Sequence, residues 1–217
     1  MRLIDYIRSW REKRRPKPVT PPAPMPVYEL EISAVRIASS AWSWGQIAEQ
    51  TQAAHWIWSV ASIRPAVVAS IEEAAHPHWR VIDDGQRDFF EIHTDAERLY
   101  REQSVCAVYF VDQVWLGNKQ VIAQGSKPSA PGIYAHGIWI GAAGVTRWSL
   151  AHELGHYLGL GDVYDAGNCR VMDGRMSASS PIMTAQCNGQ RLTDVEIDIA
   201  RSVCQVNPSR TRCIEVL

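Results

Sequence analysis

The sequence has almost no excess charge of either sign, with 22 Lys and Arg against 23 Asp and Glu among 217 residues. No global field therefore draws the chain to nucleic acid or to an anionic membrane, and charge names no partner. Long apolar runs are also missing. The N-terminal stretch MRLIDYIRSWREKRR is interrupted by Asp5 and Arg8 and has no small-residue cleavage site, so classical secretion is not expected. The longest uncharged stretch, 128–146, contains two prolines, a histidine and several glycines. Its backbone would be poorly satisfied in lipid, and no membrane span is expected. Internal repeats are absent, and the single low-complexity tract is proline-rich.

Cysteine is sparse and unevenly placed. Cys106 lies in the apolar run SVCAVYFVD and reads as a buried free thiol, whereas Cys169, Cys187, Cys204 and Cys213 all fall in the last quarter. Four cysteines permit three pairings; the preferred one joins Cys169 with Cys187 and Cys204 with Cys213, closing short loops. Such bridges suit an extracytoplasmic site, while a reducing cytosol would leave thiols.

What is present divides the chain into three parts. Residues 1–15 place Leu3, Ile4, Ile7 and Trp10 near one face at helical spacing, with Arg2, Arg8, Arg11 and Lys13 elsewhere, as in a short basic amphipathic helix. Docking on its own domain or fraying is the plainer reading; a membrane-surface or partner contact is the other. Residues 16–26, PKPVTPPAPMP, read as an extended semi-rigid linker. The folded domain, 27–217, is long enough for one sizeable core.

Within it YELEISAVRI alternates Leu30, Ile32 and Ala34 with Glu29, Glu31 and Ser33, which predicts a half-buried strand. Residues 44–62 predict a helix with Ile47, Ala54, Ile57 or Trp58 and Ala61 on its apolar face. Further strands are expected at 66–70, 89–93, 105–111 and 133–140, and further helices at 146–158 and 193–203. Thr193 reads as an N-cap, with Glu196 at N3. The class is α+β.

Chemistry concentrates in His152-Glu153-Leu154-Gly155-His156-Tyr157-Leu158-Gly159-Leu160-Gly161-Asp162. Side chains at i and i+4 of a helix share a face roughly 6 Å apart, so two imidazoles can meet one zinc ion. Glu153 then stands beside the metal and suits a general base acting on a metal-activated water. Gly159 permits a left-handed helix end, and Gly161 keeps the returning chain free of bulk, so that Asp162 can reach back as third ligand. The alternative has Asp162 capping the loop, with Asp165 or a water as third ligand. A bare HExxH also occurs on solvated helices. The apolar Leu150, Ala151, Leu154 and Leu158 around this one argue for a buried site. His76 and His78 are the weaker candidate for a second metal pair.

HELGHYLGLGD resembles the metzincin motif of zinc peptidases, in the variant whose third ligand is Asp, as in the snapalysin-like branch. Ser180-Pro181-Ile182-Met183-Thr184 looks like the Met-turn of that family, with Met183 beneath the metal; Met172 in RVMDG is the competing candidate. Cys169 and Cys187 bracket the turn in a manner similar to pappalysin-type enzymes. Some metzincins carry a tyrosine two residues after the turn methionine, whereas Ala185 stands here, so no role for such a tyrosine carries over.

The resemblance implies a metzincin-like α+β fold: a twisted mixed sheet, a backing helix, an active-site helix, and a small C-terminal subdomain with Met-turn and helix. It implies a catalytic domain at 27–217, a bound zinc ion, an endopeptidase activity and a peptide or protein substrate. GIYAHGIWI, including His136, would be the edge strand lining the cleft. Two rival readings are a catalytically silent binding or regulatory module and a gluzincin-type peptidase with Glu196 as ligand. Oligomeric state has no sequence signal.

Overall fold

Period-two alternation in the first apolar segment becomes β1, Val27–Ile37, the strand around which the main sheet is built. The computed structural model describes residues 26–83, 106–116, 119–125, 137–161, 182–183, 191–206 and 213–216. The expected N-terminal helix, nearly all of the linker and the strand expected at 89–93 lie outside these residues.

After β1, Ser43 and Gln46 close a capping box. The Ser43 hydroxyl accepts from the Gln46 amide at 3.3 Å, and Gln46 Oε1 accepts from the Ser43 amide at 2.9 Å. This box starts α1, Trp44–Ser59, which leads into β2, Ile63–Glu73. A short 3-10 turn precedes β3, Val81–Asp83. Then follow β4, Cys106–Val111; β5, Gln113–Leu116; β6, Lys119–Val121; β7, Ala123–Gly125; and β8, Gly137–Gly141. The remaining elements are α2, Ser149–Tyr157; α3, Asp194–Val206; and β9, Cys213–Val216.

The main sheet is mixed, in the order β2-β1-β4-β8-β7, with β9 beside the first half of β1. β1 pairs in parallel with β2 and β4, and β4 with β8; β7 and β9 run antiparallel to their neighbours. A second sheet, β3-β5-β6, shares no ladder with the first but packs against one of its faces. This is the α+β arrangement expected, with α1 as backing helix, α2 carrying the HExxH motif and α3 as C-terminal helix.

Both faces of the main sheet are buried along its central strands, β4, β8 and the second half of β1. Leu30, Ile32, Val108, Phe110, Ile138 and Ile140 pack under α1 and α2, while Val35, Ile37, Tyr109, Val111 and Trp139 pack against Trp79, Ile82 and Val114. Double burial explains why β4 and β8 read as unbroken apolar runs. It also corrects the half-buried reading of β1: alternation holds at its start, but Ser33, Ala34 and Val35 are all buried. A larger correction concerns GIYAHGIWI. Its described part, β8, is fully buried and hydrogen-bonded on both sides, so it is an interior strand. Among the described residues the sheet edge on that side is β7. No described helix is long and apolar enough to cross a membrane.

Candidate metal centre

Two side chains of α1 fix the helix that carries the motif. Gln50, buried, donates from Nε2 to the Thr146 carbonyl at 2.6 Å and accepts at Oε1 from the Leu150 amide at 3.1 Å, so it satisfies one of the orphan donors at the start of α2. The Trp58 indole N–H donates to the Ala151 carbonyl at 3.0 Å. Sequence reasoning passed over Gln50. Its signal was present: a lone amide three residues after Ile47 and four before Ala54 stands inside the apolar stripe.

On α2 the rings of His152 and His156 lie 4.9 Å apart, centre to centre, and nearly perpendicular. His152 and Glu153 are buried and His156 half-buried. Potential ligand atoms of His152, Glu153 and His156 all fall within 4.8 Å of one another, a group able to hold a metal ion. No other such group occurs among the described residues.

Both imidazoles are oriented by backbone carbonyls. His152 Nδ1 lies 2.8 Å from the Ile182 oxygen, and His156 Nδ1 lies 3.1 Å from the Leu160 oxygen. A carbonyl only accepts, so each Nδ1 carries the proton and each Nε2 keeps its lone pair for a metal. The second of these contacts depends on the helix end. Gly159 takes φ +86°, a left-handed conformation, and the Leu160 amide reaches back to the Gly155 carbonyl at 2.9 Å. That turn brings the Leu160 carbonyl over His156. Gly159 therefore acts as its position in the sequence suggests. A Cβ on Gly161 would meet nothing within 4 Å among the described residues, and the returning chain that this glycine was expected to clear lies outside them.

Beneath the two histidines, Ile182 and Met183 are both fully buried in the main core. A Cβ on Gly155 would overlap Met183 Sδ, and the sulfur occupies the space that this glycine leaves. Gly155, the second of the two variable residues inside HExxH, thus makes the room that Met183 fills against the helix. The sequence offers no local clue to this contact.

The structure brings together His152, Glu153, His156 and, below them, Met183. Asp162, its alternative Asp165, and Met172 lie outside the described residues, as do His136, Cys169 and Cys187. Glu196 closes a capping box on α3: its carboxylate accepts from the Thr193 amide at 2.7 Å, and its own amide donates to Thr193 Oγ1 at 3.2 Å. His76 stacks on Trp79 at 4.2 Å and faces Glu73 Oε1 at 3.2 Å, without forming a metal group with His78. Cys106 is the buried free thiol expected, and Cys204 is disulfide-bonded. Burial pushes the Cys106 thiol far up. Burial first, and the neighbouring Cys106 second, do the same for the Tyr157 phenol.

Neither a protein-family model nor a curated protein sequence matches the chain. Solved structures are similar in fold. Metalloproteinase-II from Bacteroides fragilis aligns with a TM-score of 0.57 and 13% identity, over 85% of this chain and 58% of that one. A chain in a chaperone-substrate complex aligns with a TM-score of 0.56 and 12% identity, over 85% of this chain and 35% of that one. This chain thus spans well under two thirds of either structure. The fold is metalloprotease-like, and it holds a His-Glu-x-x-His group.

Proposed function

We propose that the chain is a zinc-dependent endopeptidase of the metzincin type, with His152, His156 and Asp162 holding the ion and Glu153 acting as general base. The observation that carries this reading is the pair of carbonyl contacts at His152 and His156 Nδ1, which leaves two Nε2 lone pairs beside a buried carboxylate. A helix that carried its histidines only for solubility would have no use for that arrangement. Two imidazoles and a carboxylate form a donor set that suits zinc, and Met183 under the helix fits the Met-turn reading. When bound, zinc would supply Lewis acidity toward a water and a substrate carbonyl.

The chain's own residues do the rest. Glu153 takes the proton from the attacking water and hands it to the leaving amine, so no covalent enzyme intermediate is needed. Burial of Glu153 keeps this transfer away from bulk solvent. The edge strand β7, packed beside α2, supports an extended peptide adding antiparallel to the sheet next to the site.

The test is zinc content per chain and cleavage of a mixed peptide library, for wild type and Glu153→Ala together. The expected result is one zinc per chain in both proteins and cleavage by wild type alone. A wild type that holds zinc yet cuts no peptide would favour the silent binding module. A wild type that binds no zinc would end the reading.

A further inference from the structure

We propose that residues 2–14 dock as an amphipathic helix in the open groove between α1 and β2, at the far edge of the main sheet from β7. The groove measures about 1070 Å³ and is lined by the outer stripe of α1, including Trp44, Ala48 and His55, and by the α1-facing residues of β2, including Pro65 and Val67. Trp44 and Val67 are each 37% exposed, large apolar side chains left uncovered on facing walls. β2 ends the sheet here, with no further strand beyond it among the described residues.

Length and connection select the occupant. β1 begins at Val27, and its register sets Leu30 beside Pro65, so the chain enters the sheet at the Pro65 end of the groove. Residues 16–26, extended at about 3.1 Å per residue, span roughly 30 Å, enough to swing residues 2–14 back along it. From Pro65 to Glu72 the strand runs about 23 Å at the usual strand rise. A helix of residues 2–14 measures about 20 Å. The match in length is close.

Charge and polarity agree. The charged side chains lining the groove are Glu49 and Glu72, both acidic, and Glu72 already pairs with Arg36 at 3.1 Å. The segment carries Arg2, Arg8, Arg11 and Lys13 around an apolar face of Leu3, Ile4, Ile7 and Trp10. That face would cover Trp44 and Val67 while the basic side chains meet Glu49 at one rim and share Glu72 with Arg36 at the other. Because α1 separates this groove from His152 and His156, the docked segment leaves the metal centre open.

Hydrogen exchange and radical footprinting on the full-length chain, dilute and free of lipid, test this. The wild type should slow amide exchange across residues 4–14 roughly tenfold or more relative to an unstructured chain. The variant Ile7→Glu with Trp10→Glu should abolish that protection and raise labelling of Trp44; Ala48→Arg, on the exposed wall of the groove, should do both from the other side. Unchanged exchange across β4 in each variant shows that the domain is folded. Unprotected residues 4–14 in wild type, or Trp44 labelling indifferent to the variants, overturn the proposal. Protection that appears only at high protein concentration overturns it in favour of a second copy in the groove. Protection only on anionic vesicles overturns it in favour of a membrane surface.

Discussion

The Nδ1 of His152 lies 2.8 Å from the carbonyl oxygen of Ile182, thirty residues along the chain and next to Met183. The orientation of a candidate metal ligand is thereby tied to a turn that contributes no ligand of its own among the described residues. The tie is made stiff by Met183, whose sulfur fills the space above Gly155.

Gly155→Ala should therefore act at a distance of one contact. Its Cβ would overlap the Met183 sulfur and meet Met183 Cε at 3.1 Å; Met183 is fully buried, so its side-chain end has no open space to swing into, and relief of the clash should displace the turn and the Ile182 carbonyl with it. Overpacking of this kind costs about 1–3 kcal/mol. Loss of the orienting carbonyl lowers metal affinity by about 10–100-fold. Denaturant unfolding of the metal-free protein and competition with a chelating dye measure the two separately. Wild-type values for both would refute the coupling.

Gln50→Leu removes both bonds by which Gln50 holds the start of α2; the Thr146 carbonyl keeps the Ser149 amide at 3.1 Å, while the buried Leu150 amide loses its Gln50 partner. About 1–3 kcal/mol of stability should be lost, the cost of one stranded buried amide. The histidines keep their own carbonyls, so zinc affinity at a temperature where the variant is folded should change less than twofold or so. Equal losses in stability and affinity would mean that the helix start positions the ligands directly.

The fold was legible wherever a periodic pattern ran long enough. Leu30, Ile32 and Ala34 announced β1, and Thr193 with Glu196 announced α3. β3, β6 and β7 span three residues each, too few for alternation to register. Missing β7 is also what made the sequence misassign the sheet edge to GIYAHGIWI. At the site, His152, Glu153 and His156 could be read directly because helical spacing itself brings them together. The carbonyls of Ile182 and Leu160 could not, since every residue has one and only the folded backbone aims it. Gly155 reads as an ordinary variable position of HExxH until Met183 is seen against it.

The third ligand separates two peptidase readings. Glu196 already spends its carboxylate on the Thr193 amide, so Glu196→Gln should keep the cap through its amide oxygen and leave bound zinc unchanged. Asp162→Asn should weaken zinc binding at least tenfold or so, because a neutral amide replaces a charged oxygen donor. Zinc per chain after dialysis against a weak chelator reads both variants. Loss of zinc from Glu196→Gln with none from Asp162→Asn would reverse the assignment.

Alkali should find a weakness in the core that lies beneath α2. Cys106 and Tyr157 are fully buried there, and burial raises both above their ordinary values of 9.0 and 10.0. The folded chain thus keeps protons that the unfolded chain gives up. For groups shifted upward, the associated stability is complete below the unfolded value and is lost as pH rises past it. Above pH 9.0 the Cys106 thiol alone should steepen the fall by up to about 1.4 kcal/mol per pH unit, and Tyr157 should add its share above pH 10.0. Urea unfolding of wild type and Cys106→Ala isolates the thiol between pH 9.0 and 10.0, below the range where Tyr157, whose own shift Cys106 adds to, begins to count. The variant should lose stability less steeply from pH 9.0 upward. Parallel curves would mean that the unfolded chain, too, holds the Cys106 proton, and that burial of this thiol is not what alkali attacks.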